Sequence, residues 1–312
     1  MTLNGRVGRR VLQIIPTLCL IAVAVFLLLR LLPGDPVSAM LGNRGTPEAI
    51  ARVRAQMGLD GGILWQFWSF ARRLLLHGDL GDSIVRRVAV TQLIAERMPV
   101  TLYLTAFAAL LSIALAVPLA FVAAIWRGRL PDLLVRGVFQ IGLSAPVFYI
   151  GLLMLGFLAA RGHLFPVGGM GVGVVGTIWH LFLPALTLAL SLSAILMRNL
   201  RSAIIGVLRA EYVDFARAKG LSPRLIMGRH VLKNALLSTV PLFGLNIGTL
   251  LGGAVITEYV FAVPGVGALM VDSIYGRDYP VVQGLTLALA VFVCLVFLAT
   301  DLIETWLDPR AA

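Results

Sequence analysis

The chain has 312 residues, of which 59% are hydrophobic and only 13% charged, with a mean hydropathy of +0.93. Soluble domains carry roughly 25% charged residues, so this composition marks a polytopic membrane protein and excludes an ordinary water-soluble enzyme. The net charge of +11 is what membrane topology asks of cytoplasmic loops, so no nucleic-acid partner is expected. Cys19 and Cys294 lie in apolar runs without C-x-x-C spacing, as packing residues do rather than metal ligands or a disulfide framework.

Stretches of about 20 apolar residues mark six spans. The first, 11–32, follows Arg6, Arg9 and Arg10 and precedes Val37-Ser38-Ala39, which together outline a secretory signal. Its apolar core exceeds the roughly 7–15 residues of a signal h-region, and Pro33, Gly34 and Pro36 intervene before the small residues, so an uncleaved span is expected. Residues 33–99 carry helices of their own. Thr46, Pro47 and Glu48 supply an N-cap hydroxyl, a first-turn proline and an acid at the positive helix end, and Gly58 is a natural stop. Next, 63–77 places Ile63, Phe67, Phe70 and Leu74 on one face at helical spacing. That pattern predicts a helix lying on the bilayer or on the outer span ends, or else a surface that meets a delivering protein.

The remaining spans are 100–126, 133–160, 178–200, 235–255 and 281–302. Pro118, Pro146, Pro184 and Pro241 are expected to interrupt four of them, since each removes a backbone hydrogen bond that protein or a cavity must then cover. In the fifth, Gly244, Gly248 and Gly252 recur at intervals of four, a smooth stripe suited to close helix packing or to lining a path. Ionisable residues are sparse: Arg30, Asp301 and Glu304 fall at span ends, and His77, His163, His180 and His230 fall in loops or at a boundary. Ion-coupled transport and intramembrane catalysis therefore lack their reagents. Gly142-Leu143-Ser144-Ala145 has neither the closing glycine nor the companion histidine of a serine-nucleophile turn, and is expected to pack.

Six spans put both ends on one side. With the N-terminus inside, the inner segments hold fifteen Lys and Arg, whereas the two short outer loops hold only Arg161 and Arg277, so both termini are expected in the cytoplasm. Trp126, Trp179 and Trp306 fall near span ends, as interfacial anchors should.

Between spans four and five lies a polar island, 211–234, which contains both lysines of the chain, Lys219 and Lys233. Neither belongs to a Gly-x-x-x-x-Gly-Lys-Ser/Thr loop, so the nucleotide-binding motif that could energise transport is absent from this sequence. The island starts as a helix, with Glu211, Asp214 and Arg217 three apart on one side and Ala210, Ala216 and Ala218 as small neighbours. Gly220 can end that helix in a left-handed conformation, and Ser222 followed by Pro223 can start another. The expected product is a helix-turn-helix on the cytoplasmic side. A charge anchor would need no such turn, so a docking element is the better reading.

Tyr212-Val213-Asp214-Phe215-Ala216-Arg217-Ala218-Lys219-Gly220-Leu221, followed by Arg229-His230-x-Leu232-x-Asn234-Ala235-Leu236, closely resembles the EAA loop of ABC-importer permeases of the dipeptide/oligopeptide/nickel family. Matches extend over nearly the whole chain, among them Leu32-Pro33-Gly34-Asp35-Pro36, Gly58-Leu59-Asp60, Gly78-Asp79-Leu80-Gly81, Phe165-Pro166-x-Gly168-Gly169, Gly253-Ala254-Val255-Ile256-Thr257-Glu258, Phe261-x-x-Pro264-Gly265-x-Gly267, Arg277-Asp278-Tyr279-Pro280 and Leu307-Asp308-Pro309-Arg310. The resemblance implies an all-α, six-span, type I ABC-importer permease fold in the inner membrane. The tail and first span would occupy 1–32, an extracytoplasmic helical region 33–99, and the permease core 100–312 with its coupling loop at 201–234. It implies a homologous second permease subunit, two cytoplasmic ATPases that hold ATP and Mg, and an extracytoplasmic solute-binding protein. The chain itself would hold no cofactor and catalyse nothing.

The implied coupling residues are Glu211, Tyr212, Asp214, Phe215, Ala216, Arg217, Ala218, Lys219, Gly220 and Leu221, with Asp214, Phe215 and Ala216 in the Glu-Ala-Ala places. Departures from the family pattern are this aspartate and phenylalanine, Gly62 and Ser238 where prolines are usual, and Phe297 and Glu304 where asparagine and tyrosine are. Peptides or peptide-like solutes are the expected cargo, and no solute-contacting residue is assigned. A stand-alone channel or facilitator is the competing class, and it would work without ATP.

Overall fold

The structure is a computed structural model that describes residues 3–31, 46–48, 51, 54 and 61–307. Among them the chain is helical apart from connecting turns and one isolated bridge between Asp82 and Ala89. Helix α1 is Leu3–Leu31, α2 is Ile63–His77 and α3 is Val90–Ile125. The next two, α4 (Leu130–Ser144) and α5 (Val147–Arg161), meet at a bend of 105°. They are followed by α6 (Gly173–Val207), α7 (Glu211–Ala218), α8 (Pro223–Val260), α9 (Val266–Tyr275) and α10 (Tyr279–Leu307). Five of these helices are long and apolar enough to cross a membrane, and six spans result when the bent pair counts as one. The helix expected after Thr46 begins as read, with Pro47 and Glu48 helical. Its stop at Gly58, the motifs 32–36 and 58–60, the small residues 37–39 and Asp308-Pro309-Arg310 lie outside the described residues.

Only one of the four prolines breaks its helix. Ala145 and Pro146 are both extended, and this is where α4 ends and α5 begins. The residue before a proline is steered out of the helical region, and Ala145 takes that option. Pro118, Pro184 and Pro241 instead lie inside continuous helices. There a single missing bond is carried by long helical runs on both sides, and at Pro184 by burial among Leu183 and Ala185 as well.

The chain forms two compact units. One holds Thr101–Pro264 and α10 from Leu295 onward. Its centre is α6, which buries Leu181, Leu188, Leu192, Leu200 and Ile204 and packs against α4, α5 and, most extensively, α8. Ser112 adds a polar contact by donating to the Ala108 and Ala189 carbonyls. Two motifs far apart in sequence meet in this unit: the Gly169 N–H donates to the Phe261 carbonyl at 3.1 Å, and a Cβ on Gly168 would run into that same carbonyl. Gly168 of Phe165-Pro166-x-Gly168-Gly169 is thus required for close backbone approach, and Gly169 for its left-handed φ of +81°.

The second unit holds the described part of Gly8–Val100 together with Gly265–Cys294. Val90, Leu93, Val266, Leu269, Val281 and Leu285 form one core, and Phe26, Phe70 and Leu287 a second. Phe67, Phe70 and Leu74 of α2 pack in the latter as expected, but Ile63 is 56% exposed because it stands in the first turn, beyond the aromatic seam. Arg30 is a clasp here. Its guanidinium lies 3.4 Å from the centre of the Phe26 ring, and its Nε donates to Gln66 Oε1 at 2.8 Å, tying α2 to α1. Asp278, also buried, accepts from Ser83 Oγ at 2.5 Å and from the Ile84 N–H at 3.0 Å, which fixes the turn that follows α2.

Candidate functional site

The island folds as a two-armed elbow. After α6, the Leu208 and Ala210 N–H groups bond back to the carbonyls of Ile204 and Val207, and Ala210 turns extended to open α7. Glu211 then stands in the first turn, where an acid is favoured by the helix dipole. Val213 and Ala216, three apart, face inward at 0% and 5% exposure and anchor the arm. On the opposite side Arg217 and Asp214 form a 3.0 Å pair, both well exposed and therefore worth little in stability.

The turn closes as the sequence predicts. Gly220 has φ +74°; its N–H bonds to the Arg217 carbonyl at 2.9 Å, and the Leu221 N–H bonds to the Ala216 carbonyl at 3.2 Å. This double closure over a left-handed residue is the Schellman arrangement, and Leu221 folds inward, half-buried, toward the Ala216 side. Ser222 caps the second arm by accepting from the Leu225 N–H at 3.4 Å, with Pro223 in the first turn.

The second arm is not a separate helix. From Pro223 it passes through a π-helical stretch, Ile226–Leu232, and continues without interruption to Val260. Ile226 and Val231 are buried within that stretch. The elbow's second arm is therefore the first three turns of the span α8. A π segment bonds one residue further along the chain than an α-helix, and such segments are rare and concentrate at functional sites.

The outward surface of the elbow is apolar at its centre and charged at its edge. Tyr212 is 43% exposed and Phe215 67%, one turn apart on α7, and Leu225 on the second arm is 42% exposed. Glu211, Asp214, Arg217, Ala218, Lys219 and Gly220 are exposed around them. Of the ten residues expected to couple, only Ala216 turns fully inward, where it positions the face. Val213, Ile226 and Val231 are the anchors that the sequence motif did not single out. An exposed aromatic pair with a polar rim has the composition of a protein docking site rather than a solvated helix face.

Behind the elbow, Asp132 joins α4 to α6. Its carboxylate, 1% exposed, accepts from Arg201 Nε at 2.8 Å and Nη2 at 2.7 Å, from the Gly128 N–H at 2.9 Å, and pairs with Arg136 at 3.2 Å. Such a bidentate, hydrogen-bonded pair sets the register of two helix ends. Asn199 Nδ2 donates to the Ser238 carbonyl at 3.2 Å and joins α6 to α8 at the same level. Asp132 stands one residue after Pro131, but nothing in the sequence links it to Arg201, 69 positions away.

The glycine stripe is not one surface. Gly244 is buried, and a Cβ there would collide with the Thr300 side chain; Gly248 is half-buried, while Gly252 is exposed with nothing within 4 Å. A spacing of four winds about 40° per step around a helix of 3.6 residues per turn, so the stripe leaves the α10 contact before Gly252. The span α8 also extends one turn beyond its predicted end at 255 and brings Glu258, wholly buried, against Thr101, whose Oγ1 donates to it at 2.6 Å. Asp132, in the first turn of α4, and Glu258, in the last turn of α8, are thus buried ionisable groups at span ends, and neither was among the ionisable span residues read from the sequence. Among the described residues no cluster of three His, Cys, Asp or Glu side chains could hold a metal.

Five long apolar helices, a bent pair that can make a sixth span, an elbow built into one of them and no strands among the described residues are shared with type I ABC-importer permeases. The MetNI methionine ABC transporter in an inward-facing conformation superposes over 70% of this chain and 97% of its own with a TM-score of 0.59 at 19% identity. An amino acid ABC transporter does so over 70% and 94% with a TM-score of 0.51 at 18% identity. At these identities the likeness concerns the fold alone. The family of binding-protein-dependent transport system inner membrane components matches residues 116–312, and the N-terminal model of the same systems matches 6–105. The glutathione transport system permease protein GsiC of Salmonella typhimurium (strain LT2) is 37% identical over 302 residues, 96% of either chain, and that of Escherichia coli (strain K12) is 36% identical with the same coverage. The chain belongs to the binding-protein-dependent transport system inner-membrane component family, and it is the permease subunit of an ABC importer.

Proposed function

We propose that this permease forms half of a translocation pathway for peptide-like solutes, in the size and charge range of glutathione. The proposal is supported by 37% identity along 96% of the chain to glutathione permeases. A homologous second permease completes the pathway, a solute-binding protein delivers from outside, and two cytoplasmic ATPases hold ATP and Mg. Both termini of this chain lie in the cytoplasm, and it contributes no catalytic group of its own.

The elbow seats in a cleft of one ATPase. Tyr212 and Phe215 enter the cleft, while Glu211, Asp214, Arg217 and Lys219 orient the contact at its rim. When the ATPases close on ATP, the first arm is displaced and the Schellman turn at Gly220 hands that displacement to the second arm. One observation carries this reading: the second arm is continuous with the span α8, so motion of the elbow is motion of a membrane helix. The π stretch lets the arm pivot without breaking the span. The test is uptake of labelled glutathione or a dipeptide by proteoliposomes containing the permease pair, with and without ATPases, ATP and binding protein. Uptake only in the complete system is expected, and uptake by the permease alone would place it among facilitators.

A further inference from the structure

An open cavity of about 390 Å³ lies between α4 and α6, beside the Asp132 clamp and apart from the elbow face. Its lining is graded along the helices. Arg136, Arg198 and Arg201 stand at one end, with Leu133 beside them, Gln140 comes next, and Leu143 and Ala194 lie at the other, about 10 Å further along at 1.5 Å per residue. The three guanidinium groups are not equivalent. Arg201 is committed to Asp132 and only 18% exposed, while Arg136 shares the same carboxylate and remains half exposed. Arg198 is exposed and has no acidic partner among the described residues. Three positive groups thus line this end with one carboxylate between two of them, and the surplus charge is carried by the exposed Arg198.

A ligand that satisfies this lining needs an anionic group at the arginine level and an apolar tail reaching toward Leu143. A peptide-like solute would meet no polar side chain beyond Gln140, so the lining argues against a segment of the solute path. On the orientation proposed above, on which this inference rests, the arginine end lies at the cytoplasmic surface. Basic pockets between spans at that level suit anionic headgroups. The neighbouring stripe of α4, with Leu134, Val138 and Ile141 all more than half exposed, continues the apolar wall sideways as a lipid-facing flank. We infer that this groove binds an anionic phospholipid of the cytoplasmic leaflet, with its phosphate on Arg198 and Arg136 and an acyl chain along Leu143 and Ala194. Because α6 leads directly into the elbow, a lipid wedged here steadies the helix from which the coupling arm hangs.

The complete complex is purified, reconstituted in phosphatidylcholine nanodiscs with or without phosphatidylglycerol, and its retained lipid counted by native mass spectrometry. Retention of phosphatidylglycerol is expected, with a loss of affinity on the order of 30-fold when Arg136→Ala and Arg198→Ala are combined, at about tenfold or less per charge. The Arg136→Lys, Arg198→Lys pair keeps the charge and most of the binding, which separates loss of a site from loss of folding. Arg72→Ala with Arg73→Ala, on α2, leaves retention unchanged. Equal retention in the Ala pair, an equal loss in the α2 pair, or displacement of the lipid by inorganic phosphate alone would each overturn the proposal. So would an Arg198→Cys variant that cross-links to the second permease while the complex retains no lipid. Recovery of the ATPases with each variant is scored in parallel, so a failed lipid site is distinguished from a failed importer reading.

Discussion

Gly220 offers the sharpest perturbation of the coupling elbow. A Cβ at this position would meet nothing within 4 Å, so the cost of a substitution is conformational and not steric. At φ +74°, alanine should cost about 1–2 kcal/mol, a factor of roughly 5–30 against the closed turn. Asparagine tolerates the left-handed region and should recover much of that loss. Proline is different in kind. Its ring holds φ near −65°, about 140° from the native value, and it removes the N–H that bonds to the Arg217 carbonyl. The closure that joins the two arms is then lost, although every apolar span is intact. Uptake and ATP hydrolysis are measured together in proteoliposomes, with the amount of inserted permease as the control. Coupled uptake should fall in the order Gly, Asn, Ala, Pro, with insertion unchanged and the proline variant hydrolysing ATP without transport. A proline variant that transports like the parent would refute transmission through this turn.

Other perturbations probe the rest of the site. Phe215→Ala should lower ATPase recovery in co-purification, and Glu211→Lys or Asp214→Lys should weaken it by reversing rim charges; equal recovery would mean that these side chains only meet solvent. Asp132→Ala strands the guanidinium of Arg201 and should destabilise the permease by about 3–5 kcal/mol, read as a lower melting temperature in detergent, with partial recovery when Arg201→Met is added. Gly244→Val should collide with Thr300 and cost about 1–3 kcal/mol, whereas Gly252→Ala should be neutral. Indistinguishable melting of these two variants would remove the distinction drawn between the ends of the glycine stripe.

The spans and the elbow were legible because their signals are local. A run of apolar residues is enough to mark α1, and Ser222-Pro223 after Gly220 carries cap, first turn and left-handed stop within four positions. The amphipathic helix at 63–77 was equally legible, since its period lies in a single segment. What escaped depends on partners distant in sequence or on competition between local and long-range terms. Asp132 and Arg201 find each other only through the packing of α4 on α6. A proline in a span is a breaker by local rules, yet Pro184 sits in an intact helix because its surroundings hold it, while Pro146 breaks its helix. The glycine stripe looked uniform because spacing alone does not say where the neighbouring helix departs. The continuity of the second arm with α8 was hidden by the polar residues 224–234, which resemble a loop in composition.

The central claim is that the outward face of the elbow enters an ATPase and moves with it. A photo-crosslinking amino acid placed at Phe215 in the complete complex tests this most directly, with cross-linked partners identified with and without ATP. Capture of an ATPase subunit, at a site or yield that changes when ATP binds, is the expected result. Failure to capture any ATPase from a complex that still transports would contradict the account.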